Sequence, residues 1–311
     1  MKRREFLRNS LMGTAGLSLL GFPFAAQARP KNKKLVILHT NDTHSRIDPF
    51  PSDGRANGGM GGMARRASLI KQIRAKEKNV LLLDSGDIFQ GTPYFNFFGG
   101  ELEYKLMSQM GYDAATLGNH DFDNGLAGLQ KQLPHASFPF LSANYDFSET
   151  ILKDKFQPYK VFVKDELKIG VFGLGIDLQG LVGADMYGKT LYLDPVVKAK
   201  EMVKILRDEQ ECNLIICLSH LGYKYDTDKI DDRKLAAQVG GIDLILGGHT
   251  HTFLEKPDAI ISPGGEETLI NQVGWAGINL GRIDFEFSTE GKKKGYAAAV
   301  LPVHERTAIS S

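Results

Sequence analysis

Five short segments of this 311-residue chain follow apolar runs with side chains that ligate metals: Asp42 and His44, Asp87, Asn119 and His120, His220, then His249 and His251. The runs before them are Leu35–Leu38, Val80–Leu83, Ala114–Leu117, Leu214–Leu218 and Leu244–Leu246. Continuous apolar runs this short read as buried strands, and loops at the carboxyl ends of strands in an α/β sheet line one crevice. Ligands distant in sequence can converge there. Asp42 with His44, and His249 with His251, stand two residues apart, so that both members of a pair can face one pocket. Aspartate, asparagine and histidine form a mixed oxygen and nitrogen set suited to Mn, Zn, Fe, Co or a similar divalent ion, without the thiolates of a structural zinc site. Asp87 is the natural bridge, because a carboxylate has two oxygens and can bind two cations. Of the eight histidines, five fall in these segments, whereas His39, His135 and His304 do not. One histidine in a loop would mean little; five at strand ends point to metal.

The elements that must position these groups alternate. A glycine-rich loop (Gly58, Gly59, Gly61, Gly62) follows the first strand and leads to a helix over about 64–76. The second strand leads to a helix near 101–110, and the third to a short helix near 126–133. Residues 159–164 and 168–174 read as a hairpin. Asp194 caps a helix that opens with Pro195 and runs to about Arg207. A short helix over 232–239 precedes the fifth strand. Beyond His251 only strands are expected, over 268–273 and 278–287, with an apolar strand over 296–303. The pattern implies one α/β domain over residues 29–311.

Composition fits a soluble globular protein, at 42% hydrophobic and 24% charged residues. The formal charge is +1, but the first 28 residues hold four cations against one acid, leaving −2 for the rest. No basic surface for a nucleic-acid polymer is implied. Residues 1–28 have the order of a twin-arginine export signal: Arg3-Arg4, an apolar stretch over 11–25, then Ala26-Gln27-Ala28. Cleavage after Ala28 and a periplasmic or secreted location are expected. No later segment is apolar for the ~18 residues of a membrane span. The two cysteines, Cys212 and Cys217, are expected on opposite faces of one strand, about 16 Å apart and unable to form a disulfide.

The segments Leu38-His39-Thr40-Asn41-Asp42-Thr43-His44, Gly86-Asp87-Ile88-Phe89-Gln90-Gly91-Thr92-Pro93, Gly118-Asn119-His120-Asp121-Phe122-Asp123, Ser219-His220 and Gly247-Gly248-His249-Thr250-His251 together resemble calcineurin-like metallophosphoesterases, in particular the 5′-nucleotidase branch. The resemblance runs from about Lys33 to Phe287. It implies a four-layer αββα sandwich, two mixed sheets flanked by helices, holding two divalent metal ions. It assigns Asp42, His44, Asp87 and His251 to one ion, and Asp87, Asn119, His220 and His249 to the second. His120 is then the general acid, oriented by Asp123, which on its own could equally serve the helix that follows. Ser45 departs from the glycine common in the family and is expected to narrow the approach to the first metal.

The implied chemistry is phosphomonoester hydrolysis, with a nucleotide as the small-molecule substrate. The alternatives are a cyclic-nucleotide phosphodiesterase, a nucleotide-sugar pyrophosphatase, a thiosulfohydrolase-like enzyme on the same domain, or a subunit that needs a separate specificity domain. The 5′-nucleotidase branch usually carries a C-terminal domain that binds the nucleobase. A separately encoded copy of that domain is therefore an expected partner.

Overall fold

A computed structural model of the protein describes residues 32–305. The expected export signal over 1–28 lies outside the described residues. The five expected strands form as β1 (Lys33–Thr40), β2 (Val80–Asp84), β3 (Ala114–Ala115), β8 (Leu214–Ser219) and β9 (Leu244–Leu246). The others are β4 (Tyr145–Asp146), β5 (Tyr159–Lys164), β6 (Leu167–Leu174), β7 (Leu191–Tyr192), β10 (Asp258–Ile261), β11 (Glu267–Asn271), β12 (Asn279–Phe287) and β13 (Lys293–Pro302). The helices are α1 (Met63–Lys76), α2 (Pro93–Phe98), α3 (Glu101–Met110), α4 (Gly125–Gln132), α5 (Ala184–Tyr187), α6 (Pro195–Lys204) and α7 (Asp232–Gln238).

Two mixed sheets result, in the orders β13-β12-β1-β2-β3 and β10-β11-β9-β8-β6-β5. Strands β1, β2 and β3 are parallel in the first, as are β6, β8, β9 and β11 in the second. Alternation along the strands explains the layers. Leu35, Ile37, Leu81 and Leu83 turn inward to meet Val171, Ile216, Leu218 and Leu244 from the second sheet. Val36, Leu38 and Leu82 turn outward against Ile70 of α1 and Met107 of α3. Phe172, Ile215 and Cys217 turn outward against Met202 of α6 and Leu235 of α7. These central strands have no polar face because both faces are covered, which is why they read as unbroken apolar runs. The four-layer αββα arrangement is as expected.

Several local expectations need correcting. The third strand is only Ala114–Ala115; Thr116 follows, its amide donating to the Asp84 carbonyl and its hydroxyl to the Leu141 carbonyl, and the chain then turns into the site. Asp194 caps α6 through Val196 and Val197, but the α-helix stops at Lys204 and a wider π turn takes over across Ile205–Glu209. Cys212 precedes β8 rather than lying on it, so both cysteines are buried on the same outer face; both are free thiols. The 296–303 segment is the edge strand β13, paired antiparallel with β12. No helix among the described residues is long and apolar enough to cross a membrane.

Candidate dimetal site

The loops after β1, β2, β3, β8 and β9 meet where the carboxyl ends of both sets of parallel strands converge. They bring together Asp42, His44 and His251 in one cluster and Asp87, His220 and His249 in a second, with the ligand atoms of each within 4.8 Å of one another. Five of the seven candidate ligands have left-handed backbones: Asp42 (φ 50°), His44 (φ 47°), Asp87 (φ 54°), His249 (φ 70°) and His251 (φ 51°). Such conformations cost about 1 kcal/mol or more each for residues other than glycine, and they concentrate where a fold is held strained for function. Ser45 is left-handed too, at φ 51°, a position that glycine fills without strain. Its side chain is fully buried, so it does not narrow the approach as expected from the sequence.

Close approach of the loops depends on small residues. A Cβ on Gly248 would lie 2.8 Å from His220 Nδ1 and 3.2 Å from Asp42 Oδ2, and one on Gly118 would collide with the Asp87 side chain.

Asp87 sits between the clusters. Its Oδ2 is 3.1 Å from His220 Nε2 and 4.0 Å from His44 Nε2. On the other side, Asp42 Oδ1 is 3.4 Å from His251 Nε2, and His44 Nε2 is 3.0 Å from His251 Nε2. Asn119 joins the second cluster, with its Oδ1 2.8 Å from His249 Nδ1.

The donor set fits divalent cations on a specific observation. His220 Nδ1 lies 2.7 Å from the Ser85 carbonyl and donates to it, which leaves Nε2 to face the Asp87 carboxylate. That Nε2 is fully buried and has no hydrogen-bond partner. A nitrogen lone pair and a carboxylate oxygen at 3.1 Å repel unless a positive charge lies with them. A proton can supply it: burial opposes charge on His220, yet Asp87, Asp42 and the Ser85 carbonyl push its pKa up to about 10. Burial likewise favours a neutral Asp87, but His220, His44 and His120 hold its carboxyl well below the usual carboxylate range. A divalent cation satisfies the same groups with more charge. His249 is ready as a neutral ligand, its pKa lowered to about 4 by burial and by His220, and burial also lowers that of His44.

His120 stands at the mouth of the site, its ring centroid 5.3 Å from that of His44. Its Nδ1 is 2.8 Å from Asp123 Oδ2, and its backbone amide donates to Asp87 Oδ1 at 2.8 Å. The Asp123 bond raises the pKa of His120 against the effect of burial. Asn124 occupies the capping position of α4, so Asp123 serves His120 and does not cap that helix.

Two supporting residues were not foreseen from the sequence. Asp121 is fully buried and accepts backbone amides of Asp87, Ile88, Phe89 and Gly118, tying the second loop to the third. Asn41 donates to Asp42 Oδ2 and to the Gly274 carbonyl and accepts from the Val273 amide, tying the first loop to the segment before β12. The only sequence signal for either is position beside a candidate ligand.

Comparison with known proteins agrees with this geometry. Residues 35–253 match the model for the calcineurin-like phosphoesterase family. The chain belongs to that family. It is 35% identical over 284 residues to snake venom 5′-nucleotidase from Crotalus adamanteus, spanning 83% of this chain and 46% of that protein. It is 36% identical to a 5′-nucleotidase of Vibrio cholerae, across 98% of this chain and 58% of the relative. Among solved structures, a 5′-nucleotidase precursor from Thermus thermophilus superposes with a TM-score of 0.80 at 34% identity, covering 89% of this chain and 56% of that one. The chain thus spans about half the length of the curated relatives it matches. Calcineurin-like phosphoesterases use two divalent metals, and the two clusters are groups of side chains that could hold them.

Proposed function

We propose that this protein hydrolyses phosphomonoesters in the manner of a 5′-nucleotidase, with nucleotides as its substrate class. The observation that carries the reading is the His120–Asp123 pair at the mouth of the two clusters. Binding metal requires neither residue, whereas hydrolysis of an alkyl phosphoester, whose alkoxide leaves poorly, gains from an acid at the leaving oxygen.

Asp42, His44, Asp87 and His251 would hold one cation, and Asp87, Asn119, His220 and His249 the other. When bound, two such cations neutralise phosphoryl oxygens and lower the pKa of water at the site. Asp123 accepts from Nδ1 of His120, fixing the ring so that Nε2 faces outward with its proton. His120 then gives that proton to the leaving oxygen, a contribution of roughly 10²–10⁴-fold. The raised pKa of His120 keeps it protonated nearer neutral pH, as an acid needs. Asp121 positions this machinery: it holds the amides of Asp87, Ile88 and Phe89, while His120 itself donates to Asp87.

The nucleotide class is supported by the relatives named as 5′-nucleotidases. The Arg3-Arg4 segment supports export by the twin-arginine route to the periplasm or beyond.

The test is a substrate screen of the purified, Mn²⁺-loaded protein with nucleoside monophosphates, cyclic nucleotides, nucleotide sugars and thiosulfate esters. Monophosphates are expected to turn over fastest. Preference for any of the other three classes would replace this reading with the corresponding alternative.

A further inference from the structure

The loop between β9 and β10 carries one candidate ligand of each cluster, His249 and His251, and both have left-handed backbones, at φ 70° and 51°. His249 is the centre of a three-residue turn, closed by the Thr250 amide donating to the Gly248 carbonyl at 2.9 Å. Turns of this kind with a positive central φ are rare and strained, so the surroundings must hold them. One side chain does so. Gln272, fully buried just past the end of β11, bonds the loop at three points. Its Nε2 donates to the Gly248 carbonyl at 2.5 Å. Its Oε1 accepts the Thr252 amide and, at 3.1 Å, the Thr250 hydroxyl. The three points lie before, between and after the two histidines.

This bracket is itself fixed. The Leu254 amide donates to the Gln272 carbonyl at 3.0 Å, and the Gly247 amide donates to the Asn271 carbonyl at 2.8 Å. Gly247 leaves room for the carboxamide, since a Cβ there would lie 3.2 Å from Gln272 Nε2 and 2.2 Å from Asp232 Oδ2. Thr250 carries the constraint further. Its hydroxyl accepts the Tyr223 amide at 3.0 Å while donating to Gln272, and Tyr223 belongs to the loop that begins with His220.

Resting on the ligand assignment proposed above, we propose that Gln272 is a positioning residue that sets His249 relative to His251, so that its loss weakens both metal sites at once. The requirement is chemical. A carboxamide carries a donor for the Gly248 carbonyl and an acceptor for the Thr252 amide on one flat group, which neither a carboxylate nor a thioether of similar length does. None of the three bonds is to a ligand side chain. Gln272 therefore acts on metal through the backbone that carries the two histidines.

The test compares the whole chain with Gln272→Met, which keeps the length but removes every bond of the bracket, and Gln272→Glu, which keeps the acceptor and loses the donor. Each metal-depleted protein is titrated with Mn²⁺ by calorimetry, and the loaded proteins are compared by electron paramagnetic resonance. Both variants are expected to bind both equivalents of Mn²⁺ about tenfold to a hundredfold more weakly. At limiting Mn²⁺ their spectra should shift from that of exchange-coupled pairs toward that of isolated ions. Denaturant unfolding in chelator separates this from a general loss of stability. A lowered midpoint with Mn²⁺ affinities and spectrum unchanged overturns the proposal, as does weakening of one equivalent alone. Should Gln272→Met fail to fold, Gln272→Glu is read by the same criteria. If the unsubstituted protein binds no Mn²⁺, the ligand assignment falls and this role falls with it, whereas normal binding in both variants removes Gln272 alone.

Discussion

His220 Nε2 and Asp87 Oδ2 face each other at 3.1 Å, fully buried, with the other nitrogen of His220 committed to the Ser85 carbonyl. The pair needs a positive charge, and Asp87 is placed to share one with each cluster. Asp87→Asn is therefore expected to reduce bound metal and abolish hydrolysis together, since the amide keeps the shape but loses the charge and one acceptor. Elemental analysis of the purified variant checks this. Two equivalents of metal retained in an active variant would remove Asp87 from the bridge.

The acid role proposed for His120 can be tested apart from metal binding. His120→Gln should keep the metal content and slow turnover roughly 10²–10⁴-fold on nucleoside monophosphates, whose alkoxide leaving group needs a proton, but much less on p-nitrophenyl phosphate. Asp123→Asn removes the bond that raises the pKa of His120. The acid then loses its proton at lower pH, so the basic limb of the kcat/KM profile should move downward. A basic limb at the same pH in Asp123→Asn would assign it to another group.

The loop organiser has its own signature. Replacing Asp121 by alanine strips four backbone amides of their acceptor in a fully buried setting. Unsatisfied buried donors cost about 1–3 kcal/mol each, partly relieved by water. A loss on the order of 3 kcal/mol and weaker metal binding are expected, read by denaturant unfolding and by metal titration. Unfolding at the wild-type midpoint would show that these amides find other partners.

His39 gives a prediction about pH. It lies on β1, fully buried, with both ring nitrogens lacking partners, and burial lowers its pKa to about 3 from an ordinary value of 6.5. The folded state holds it neutral while the unfolded state protonates it below pH 6.5. Stability from this residue is thus complete above pH 6.5 and falls as pH drops toward 3, by at most about 1.4 kcal/mol per pH unit. His39→Leu should flatten the dependence of Tm on pH over that window. An unchanged slope would mean that His39 is not neutral in the folded protein.

The strands at the centre of each sheet were legible because both faces are covered, making Val80–Leu83 and Leu214–Leu218 continuously apolar. Edge elements such as β10, and the short α2 and α5, were not, since partial exposure leaves no period in so few residues. The side chains of the two Asp and His clusters were legible because their types are rare at strand ends. Asn41, Asp121 and Gln272 were not, because their roles arise from pairings that sequence order hides: Asn41 reaches Gly274 across 233 positions.

The most direct measurement is a titration of metal-depleted protein with Mn²⁺, following bound metal and hydrolysis of p-nitrophenyl phosphate in parallel. A site of two clusters joined by Asp87 predicts two equivalents bound, with activity rising only as the second is filled. Full activity at one equivalent, or activity that persists in chelator with no metal bound, would contradict it.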